Sequence, residues 1–498
     1  MKKEKLFDQF SPVSTAEWMN RIKADLKGAD FKEKLVWKTN EGFDVNPFYR
    51  KEDLNDLPFI GSLPGEFPYL RGKSSSNTWL IRQNIEVNDY LSANRKALII
   101  LMKGIDSLGF IISDPESVSR ENFDILLKDI QLESIEINFL CNGKAIEILD
   151  ILKNTLSDRG IGPDKIHGAI EADPLGRLLL NGTLCVPVET GFDYLASLTS
   201  KASELSCLRT IHLNASHFSN SGSDIVQELA FGLSAGNEYI SRLTGRGVPA
   251  ELAASKIRFS FGTGPNYFME IAKLRAARLL WSLIIKGFIP EAYSVIRMEI
   301  NCVTSRWDKT VYDPHVNMLR TQTQAMSAIL GGADSLIVEP FDIVFRSPDE
   351  FSERIARNQQ LILKDEAYFD KVADPAAGSY YIENLTDLIA SNAWKLFLEI
   401  EEQGGFLSAL QSGLIQKKLA GSAALKKADF ETGKVKLLGS NLFPDLNEKA
   451  LSQIEAGRLL KSERPENELL IEPLRLFRLS EEYEAVRLEH EKGEKDLL

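Results

Sequence analysis

Several polar side chains directly follow apolar runs that predict β-strands, and their types could support chemistry. His217 is the strongest single candidate for acid–base or hydrogen-bonding work, because neutral imidazole can donate or accept a proton near pH 7. Lys103, Asp173 and the polar run 301–307 occupy similar positions. In a parallel barrel, such C-terminal strand ends hold the active site. A lone histidine without an obvious carboxylate partner is more often structural, so its role stays open.

Alternation along the predicted strands places further polar side chains on shared faces. His212, Asn214 and Ser216 lie on one face of their strand, and Arg258 and Glu299 alternate in the same way on later strands. If these faces point into a barrel, the bulky groups fill its axis and leave no room for a ligand.

Generic nucleotide and nucleophile motifs are missing from the sequence. Gly262-Thr263-Gly264 ends a predicted strand before a helix, so its amides could bind phosphate. Pro265 removes one amide and suits a first helical turn, which favours a plain strand-to-helix connection.

Composition and charge exclude several classes of protein. The 59 Lys and Arg against 71 Asp and Glu give a net charge of -12, which argues against nucleic-acid binding and against attraction to anionic membranes. The first ten residues lack the apolar segment of a signal peptide, and the longest apolar run, 97–102, is too short to span a membrane. The cysteines show no metal-ligand spacing, so we expect reduced structural thiols in a cytoplasmic protein. These are Cys141, Cys185, Cys207 and Cys302.

The elements that position these residues fall into three regions. Residues 1–76 contain many turn formers and aromatic side chains, and we expect an extended arm. Such a segment is too apolar to be a free tail, and we favour packing on a partner over packing on its own body, since extended arms bury little surface on themselves. Residues 77–385 alternate strands with helices, and residues 386–498 predict a helical, charged C-terminal extension.

Roughly eight strands alternating with helices predict a parallel sheet, which a (β/α)8 barrel or a doubly wound open sheet would satisfy. The 498 residues likewise fit three ordinary domains or one barrel with extensions. The predicted strands are 78–83, 97–102, 134–140, 167–173, 210–216, 257–263, 294–301 and 335–340.

Long stretches of the chain resemble the methylmalonyl-CoA mutase family. The resemblance implies a TIM barrel and removes the open-sheet alternative. The matching segments are PGEFPYLRG (64–72), TWLIRQ (78–83), FMEIAKLRAARLLW (268–281), NMLRTQTQAMSAILGGADSLIVEPFD (317–342), SERIARNQQLIL (352–363) and VADPAAGSYYIENLT (372–386).

The site residues of the family are mostly replaced. The resemblance places Asn84 at the family's active-site Tyr and Glu171 at its fourth-strand Gln. On the seventh strand, Glu299 stands at an Arg and Asn301 at a His. Replacing a cation by an anion at residue 299 is expected to repel a polyanionic acyl-CoA. The second strand, aligned with ALIILMKGI (97–105), also departs from the family's F-D-L-A-T-H.

Only Arg82 and His217 keep the identities of the family's site residues, the latter at the His of S-G-Y-H. The family's cobalt-ligating D-x-H-x-x-G has a partial match at His490 to Gly493, but Leu488 replaces the Asp. We interpret that match as coincidence in a charged helix, and we expect neither a cobalamin-binding domain nor a bound cofactor or metal in this chain.

These features favour the small (beta) subunit of a heterodimeric mutase. The resemblance implies that the large (alpha) subunit binds adenosylcobalamin and substrate, and that the holoenzyme interconverts (R)-methylmalonyl-CoA and succinyl-CoA by radical rearrangement. This chain would be catalytically degenerate and would stabilise its partner. Two alternatives are a catalytic acyl-CoA mutase barrel whose cobalamin domain is a separate chain, and a stand-alone scaffold for the mutase.

Overall fold

The computed structural model describes residues 9–291, 293–455 and 469–495. Within them, two short strands form a hairpin in the arm and eight parallel strands close into a barrel. The hairpin strands are β1 (Trp37–Lys38) and β2 (Asp44–Val45). The barrel strands are β3 (Leu80–Glu86), β4 (Ser107–Ile112), β5 (Glu136–Cys141), β6 (His167–Ala172), β7 (Leu208–Asn214), β8 (Ile257–Thr263), β9 (Ile300–Thr304) and β10 (Ser335–Ile337).

Each barrel strand pairs with its neighbours in chain order, and β10 closes the barrel against β3. The (β/α)8 barrel expected from the sequence is confirmed.

The α-helices surround this barrel and extend beyond it. The arm holds α1 (Thr15–Asp25) and α2 (Phe31–Leu35). The barrel region holds α3 (Tyr90–Leu101), α4 (Arg120–Leu126), α5 (Ala145–Asp158), α6 (Pro174–Asn181), α7 (Val188–Lys201), α8 (Ser216–Ser219), α9 (Ile225–Thr244), α10 (Ala250–Ser255), α11 (Tyr267–Phe288), α12 (Val316–Leu330) and α13 (Glu350–Leu361). The C-terminal part holds α14 (Tyr380–Glu402), α15 (Phe406–Gln411), α16 (Leu414–Glu431) and α17 (Glu481–Lys495). None of the described helices is long and apolar enough to cross a membrane.

The predicted strand at 97–102 is wrong, because this segment is the second half of α3. The Asp89 side chain caps the helix by accepting a hydrogen bond from the Ser92 amide at 2.7 Å. Tyr90, Ala93 and Ala97 recur at helical spacing on the buried face. A short apolar run does not distinguish a strand from a helix by its pattern alone.

Two consequences follow from this helix. Lys103 comes after a helix instead of a strand, and it forms a salt bridge of 2.9 Å with Glu350 outside the barrel. The second barrel strand is β4, a strand the sequence analysis missed, so the comparison of ALIILMKGI with the family's second strand was misplaced.

The seventh strand also starts later than predicted, at Ile300 instead of residue 294.

The second half of the arm packs on its own barrel, contrary to the expectation that the arm packs on a partner. Phe43, Val45 and Leu70 are buried in the main core, and the Tyr69 hydroxyl donates a hydrogen bond to the Ser294 carbonyl. In contrast, α1 buries none of its side chains within this chain.

The boundary expected at residue 385 falls inside α14, which packs on α9 and α11 in the helical layer of the barrel. Farther along, the C-terminal part covers the C-terminal side of β7 and β9. The Leu479 amide donates to the Trp307 carbonyl at 2.8 Å, and the Phe477 amide donates to the Asn220 carbonyl at 3.0 Å. The C-terminal extension therefore lies over part of the barrel mouth.

Candidate functional site

The barrel brings most of the sequence-predicted site residues together in its interior. Arg82 on β3, Glu171 on β6 and Asn301 on β9 point inward and are connected through His212 and Ser260. Inward alternation of His212, expected from the sequence, is thus confirmed.

Glu171 is the centre of an ion-pair cluster. Its Oε1 accepts a hydrogen bond from the Arg82 guanidinium at 2.7 Å, and its Oε2 lies 2.6 Å from His212 Nδ1. Burial opposes ionisation of this carboxyl, but Arg82 and His212 outweigh it and hold the pKa of Glu171 well below its usual range. Glu171 is therefore a permanent carboxylate whose charge is neutralised inside the barrel.

A chain of hydrogen bonds continues from His212 to the last strands. His212 Nε2 lies 2.6 Å from Ser260 Oγ, Asn301 Nδ2 donates to the same Oγ at 2.8 Å, and Ser335 Oγ donates to Asn301 Oδ1 at 2.9 Å. Glu171, His212 and Ser260 have the residue types and order of a nucleophile triad. However, Ser260 is only 1% exposed and its hydroxyl is held from both sides. The Ser260 hydroxyl is thus satisfied by groups of the protein itself, which favours a structural role.

Arg258 organises a second cluster, nearer the N-terminal ends of the strands. Its guanidinium contacts Glu136 Oε2 at 2.8 Å, Asn138 Oδ1 at 2.5 Å and Glu299 Oε1 at 2.6 Å. Arg209 binds the other oxygen of Glu299 at 2.9 Å. Arg258 is 1% exposed and is among the largest fully buried side chains of the described residues.

The expected repulsion of acyl-CoA by Glu299 is therefore wrong as an electrostatic argument. Burial opposes its ionisation, yet Arg258 and Arg209 hold the pKa of Glu299 well below its usual range. The carboxylate is neutralised by two guanidinium groups, so it presents no free negative charge. The space at this position is occupied by the cluster itself, with Arg258 1% exposed.

Asn84 accepts a hydrogen bond from Arg82 Nε at 3.1 Å. Both side chains lie against Gly109 on β4, where a Cβ would come within 2.0 Å of the Asn84 amide oxygen and 3.2 Å of an Arg82 nitrogen. The glycine on the strand that we missed thus makes the space that these two side chains occupy.

His217 lies apart from the network, on the short helix α8 that follows β7. Burial, together with the nearby His212 and Arg306, lowers its pKa to about 4. Its ring is therefore neutral at pH 7, and it makes no hydrogen bond to any residue that the structure describes.

Other candidates from the sequence have structural contacts. Asp173 caps α6, accepting from the Gly176 amide at 2.8 Å and the Tyr239 hydroxyl at 2.5 Å. The amides of Gly262 and Gly264 donate to Glu228 at 2.7 Å and to Glu270 at 2.9 Å. These amides already bind carboxylates of the chain, so the strand-to-helix interpretation is confirmed over phosphate binding.

The cysteines are free thiols. Burial raises the pKa of Cys302 to about 12 and that of Cys141 to about 11, so both are protonated and unreactive at pH 7.

Two cavities open at the C-terminal side of the barrel. The first, of about 340 Å³, lies at the ends of β3 and β10 and is lined by Arg82, Asn84, Arg306, Glu339 and Arg357 among others. The second, of about 680 Å³, lies between the arm, the loops after β8 and β9, and the C-terminal extension. Its lining includes Trp37, Glu41, Asp224, Trp307 and Lys426.

Sequence reasoning missed Glu136 and Asn138 on β5, and also Ser260 and Arg357. A signal was present for the first two, because they interrupt the apolar run SIEINFL at alternating positions. For Arg357 the pattern gives no signal, since a polar residue on a helix is most often solvent-exposed.

The residues present do not fit a bound cobalamin. His490 lies exposed in α17 among charged side chains, and the residue two before it, Leu488, is buried in an apolar cluster. Arg82 and Asn84, at the barrel mouth, are bonded to each other and to Glu171.

Comparison with known proteins gives a consistent family. The methylmalonyl-CoA mutase family model matches residues 117–469. The chain is 45% identical to the methylmalonyl-CoA mutase small subunit of Porphyromonas gingivalis, covering 99% of this chain and 79% of that one. It is 34% identical to the methylmalonyl-CoA mutase of Rhizobium meliloti and 31% identical to the mitochondrial enzyme of Homo sapiens. These alignments cover 85% and 93% of this chain, but only 63% and 66% of those proteins.

Proposed function

The chain belongs to the methylmalonyl-CoA mutase family, and we propose that it acts as the small, non-catalytic subunit of a heterodimeric mutase. In this proposal the large subunit holds adenosylcobalamin and acyl-CoA, and interconverts (R)-methylmalonyl-CoA and succinyl-CoA. This chain stabilises that subunit through a shared interface.

The observation that carries the proposal is the filled barrel. Two buried clusters, centred on Glu171 and Arg258, join side chains from all eight barrel strands by hydrogen bonds and ion pairs. An acyl-CoA threaded along the axis would have to displace Arg258 and leave Glu136 and Glu299 as unpaired buried carboxylates. Unpaired buried charges cost several kcal/mol each, so the filled state is strongly preferred.

The exposed first part of the arm supplies the proposed contact with the partner. Helix α1 has no buried side chain, and Trp18 on it is 47% exposed. Large aromatic side chains that are exposed in one chain commonly anchor protein–protein interfaces.

The proposal is tested by coexpressing this chain with a cobalamin-carrying methylmalonyl-CoA mutase large subunit. We expect a stable one-to-one complex, and calorimetry with CoA should give one high-affinity site per heterodimer and no site of comparable affinity on this chain alone. The large subunit measured alone is the positive control for CoA binding.

The main alternative is a catalytic barrel whose cobalamin domain is a separate chain, and the retention of Arg82 and His217 is the feature that favours it. That function requires saturable CoA binding by this chain and mutase turnover when only a free cobalamin-domain protein is added. Either result would replace the proposed function by the alternative.

A further inference from the structure

Arg357 on α13 is a buried guanidinium that lacks a counter-ion. It is 6% exposed, and among the described residues it forms no salt bridge. Its one hydrogen bond is a long contact of 3.3 Å from NH1 to Gln83 Oε1 on β3, and its Nε is buried without a partner. A buried charge without a paired ion is costly, so such a group normally has an anion beside it.

The neighbouring carboxylates are already engaged by other cations. Glu353 binds Lys96 at 2.5 Å through one oxygen and the Gln83 amide at 3.0 Å through the other. Glu350 is exposed and binds Lys103 at 2.9 Å. The pKa of Arg357 is lowered by its burial, an effect that these two carboxylates only partly offset.

Arg357 lines the 340 Å³ cavity at the ends of β3 and β10. Two other cations on this cavity are neutralised within the chain: Arg306 binds Glu339 at 2.9 Å, and Arg82 binds Glu171 at 2.7 Å. Arg82 nevertheless keeps NH1 buried and without a hydrogen-bond partner. The cavity thus has one unneutralised guanidinium and a second with an unused donor.

We propose that this cavity is a binding site for a small oxyanion, the carboxylate or phosphate group of a small molecule, with Arg357 as its principal ligand. A guanidinium presents N–H donors in a planar fork that matches the oxygens of either group. This inference does not rest on the proposed subunit function, since it concerns the mouth of the barrel and not its filled axis.

The test uses the full purified chain, titrated by calorimetry with sodium acetate, succinate and inorganic phosphate. Neutral succinamide and KCl at matched ionic strength are the comparisons. We expect saturable binding of at least one oxyanion and no binding of succinamide. The relative affinities of succinate and phosphate show whether the site prefers a carboxylate or a phosphate group.

Arg357→Gln is expected to weaken oxyanion binding at least about tenfold, the effect of losing one charge-assisted contact. Arg354→Gln is the matched control, since Arg354 lies on the same helix but is exposed and outside the cavity lining, and its affinity should stay within about twofold of the parent. Arg357→Lys keeps the positive charge but loses the planar guanidinium, so its oxyanion affinity should lie between those of Arg357→Gln and the parent.

Thermal unfolding without added anion provides an independent check on folding. Because Arg357→Gln removes an uncompensated buried charge, its midpoint should equal or exceed that of the parent chain. A lower midpoint would show that the chain already compensates this charge and would overturn the proposal. Equal oxyanion affinity in Arg357→Gln and the parent, or no saturable binding of any oxyanion, would overturn it as well.

Discussion

Arg258 joins charges from three parts of the barrel at a single guanidinium. Glu136 comes from β5 and Glu299 immediately precedes β9, and both bind the same buried side chain. Glu299 has a second cationic partner in Arg209, whereas Arg258 is the only cation that binds Glu136 among the described residues. Arg258 therefore neutralises buried carboxylates from two other parts of the barrel.

We predict that Arg258→Ala lowers the free energy of unfolding by about 3–5 kcal/mol, because it leaves two buried carboxylates without their main partner. Urea denaturation monitored by circular dichroism measures the change. Arg209→Ala is the control, since Glu299 keeps Arg258 in that variant, and it should cost about 1 kcal/mol or less. Similar losses in the two variants would show that Arg258 has no special role.

Glu401 on α14 predicts that the stability of the chain depends on pH. Burial, together with the nearby Glu238, raises its pKa from 4.5 to about 7. The unfolded chain therefore releases this proton at a lower pH than the folded chain, so its ionisation reduces stability as pH rises from 4.5 to 7.

Glu401→Gln should be more stable than the parent at pH 8, by about 1–2 kcal/mol after discounting for solvent screening, and the gain should shrink towards pH 5. The glutamine oxygen can still accept the Asn237 hydrogen bond of 2.8 Å. Urea midpoints at both pH values measure the effect. Glu402→Gln, at the next, exposed position, should show no such trend, and a gain that is constant with pH would contradict the assignment.

At the scale of elements, four buried side chains fasten the arm to the helical layer. Arg71 binds Asp374 at 3.0 Å and Glu383 at 2.8 Å, and Arg275 of α11 binds the same two carboxylates. Arg71 also donates to the carbonyls of Ser62 and Ile60, at 2.9 and 2.7 Å. This clamp fixes where the arm leaves the barrel.

Arg71→Ala is expected to release residues before 71 from the barrel, because those carbonyls and carboxylates lose their common donor. Limited proteolysis should cut the region 50–70 at least about tenfold faster, and unfolding free energy should fall by about 2–4 kcal/mol. Lys51→Ala, at an exposed position of the arm, should change neither quantity. Unchanged protection in Arg71→Ala would show that apolar packing alone holds the arm.

The strands that the sequence predicted well are those with strong β-formers and flanking breakers. β8 has the predicted bounds of 257–263, as its run IRFSFGT suggests. The strand prediction for ALIILM was wrong because Asp89, eight residues upstream, caps a helix that continues through this run. SLGFII was missed because its Gly109 lowers β-propensity, and the need for that glycine becomes visible only when Asn84 and Arg82 occupy the space above it.

For the site, the sequence showed which side chains face inward but not which ones meet. Arg258 and Glu136 are 122 residues apart, and their contact depends on the register of β5 and β8 across the barrel. The same limit explains why Glu299 was interpreted as a free anion. The electrostatic role of a buried group depends on the charges of the residues that contact it, and the group's own residue type does not reveal them.

At the scale of the whole molecule, the chain combines a filled barrel, a covered mouth and an exposed first helix. In the proposed function, the first two features close the axis to acyl-CoA, while α1, which has no buried side chain, contacts the large subunit. We expect association, rather than turnover, to be the property that changes in the arm affect.

Trp18→Ala should weaken binding to the large subunit at least about tenfold while leaving the unfolding free energy of this chain nearly unchanged, because Trp18 is 47% exposed here. Analytical ultracentrifugation of the coexpressed pair measures the affinity. Phe443→Ala, which removes an aromatic side chain that is 80% exposed in the C-terminal part, is the comparison. If that change weakens the complex and Trp18→Ala does not, the partner contacts the C-terminal part instead.

The ion pairs of the barrel interior also constrain how the chain folds. A nascent chain that has completed β6 already contains Glu136, Glu171 and Arg82, but Arg258 and His212 are still to be synthesised. Half of the barrel would therefore leave Glu136 without its guanidinium partner and Glu171 without His212, which disfavours a dry interior of its own. The strands consequently become a folded unit only together, and a fragment cut after β6 is expected to remain an expanded, protease-sensitive chain.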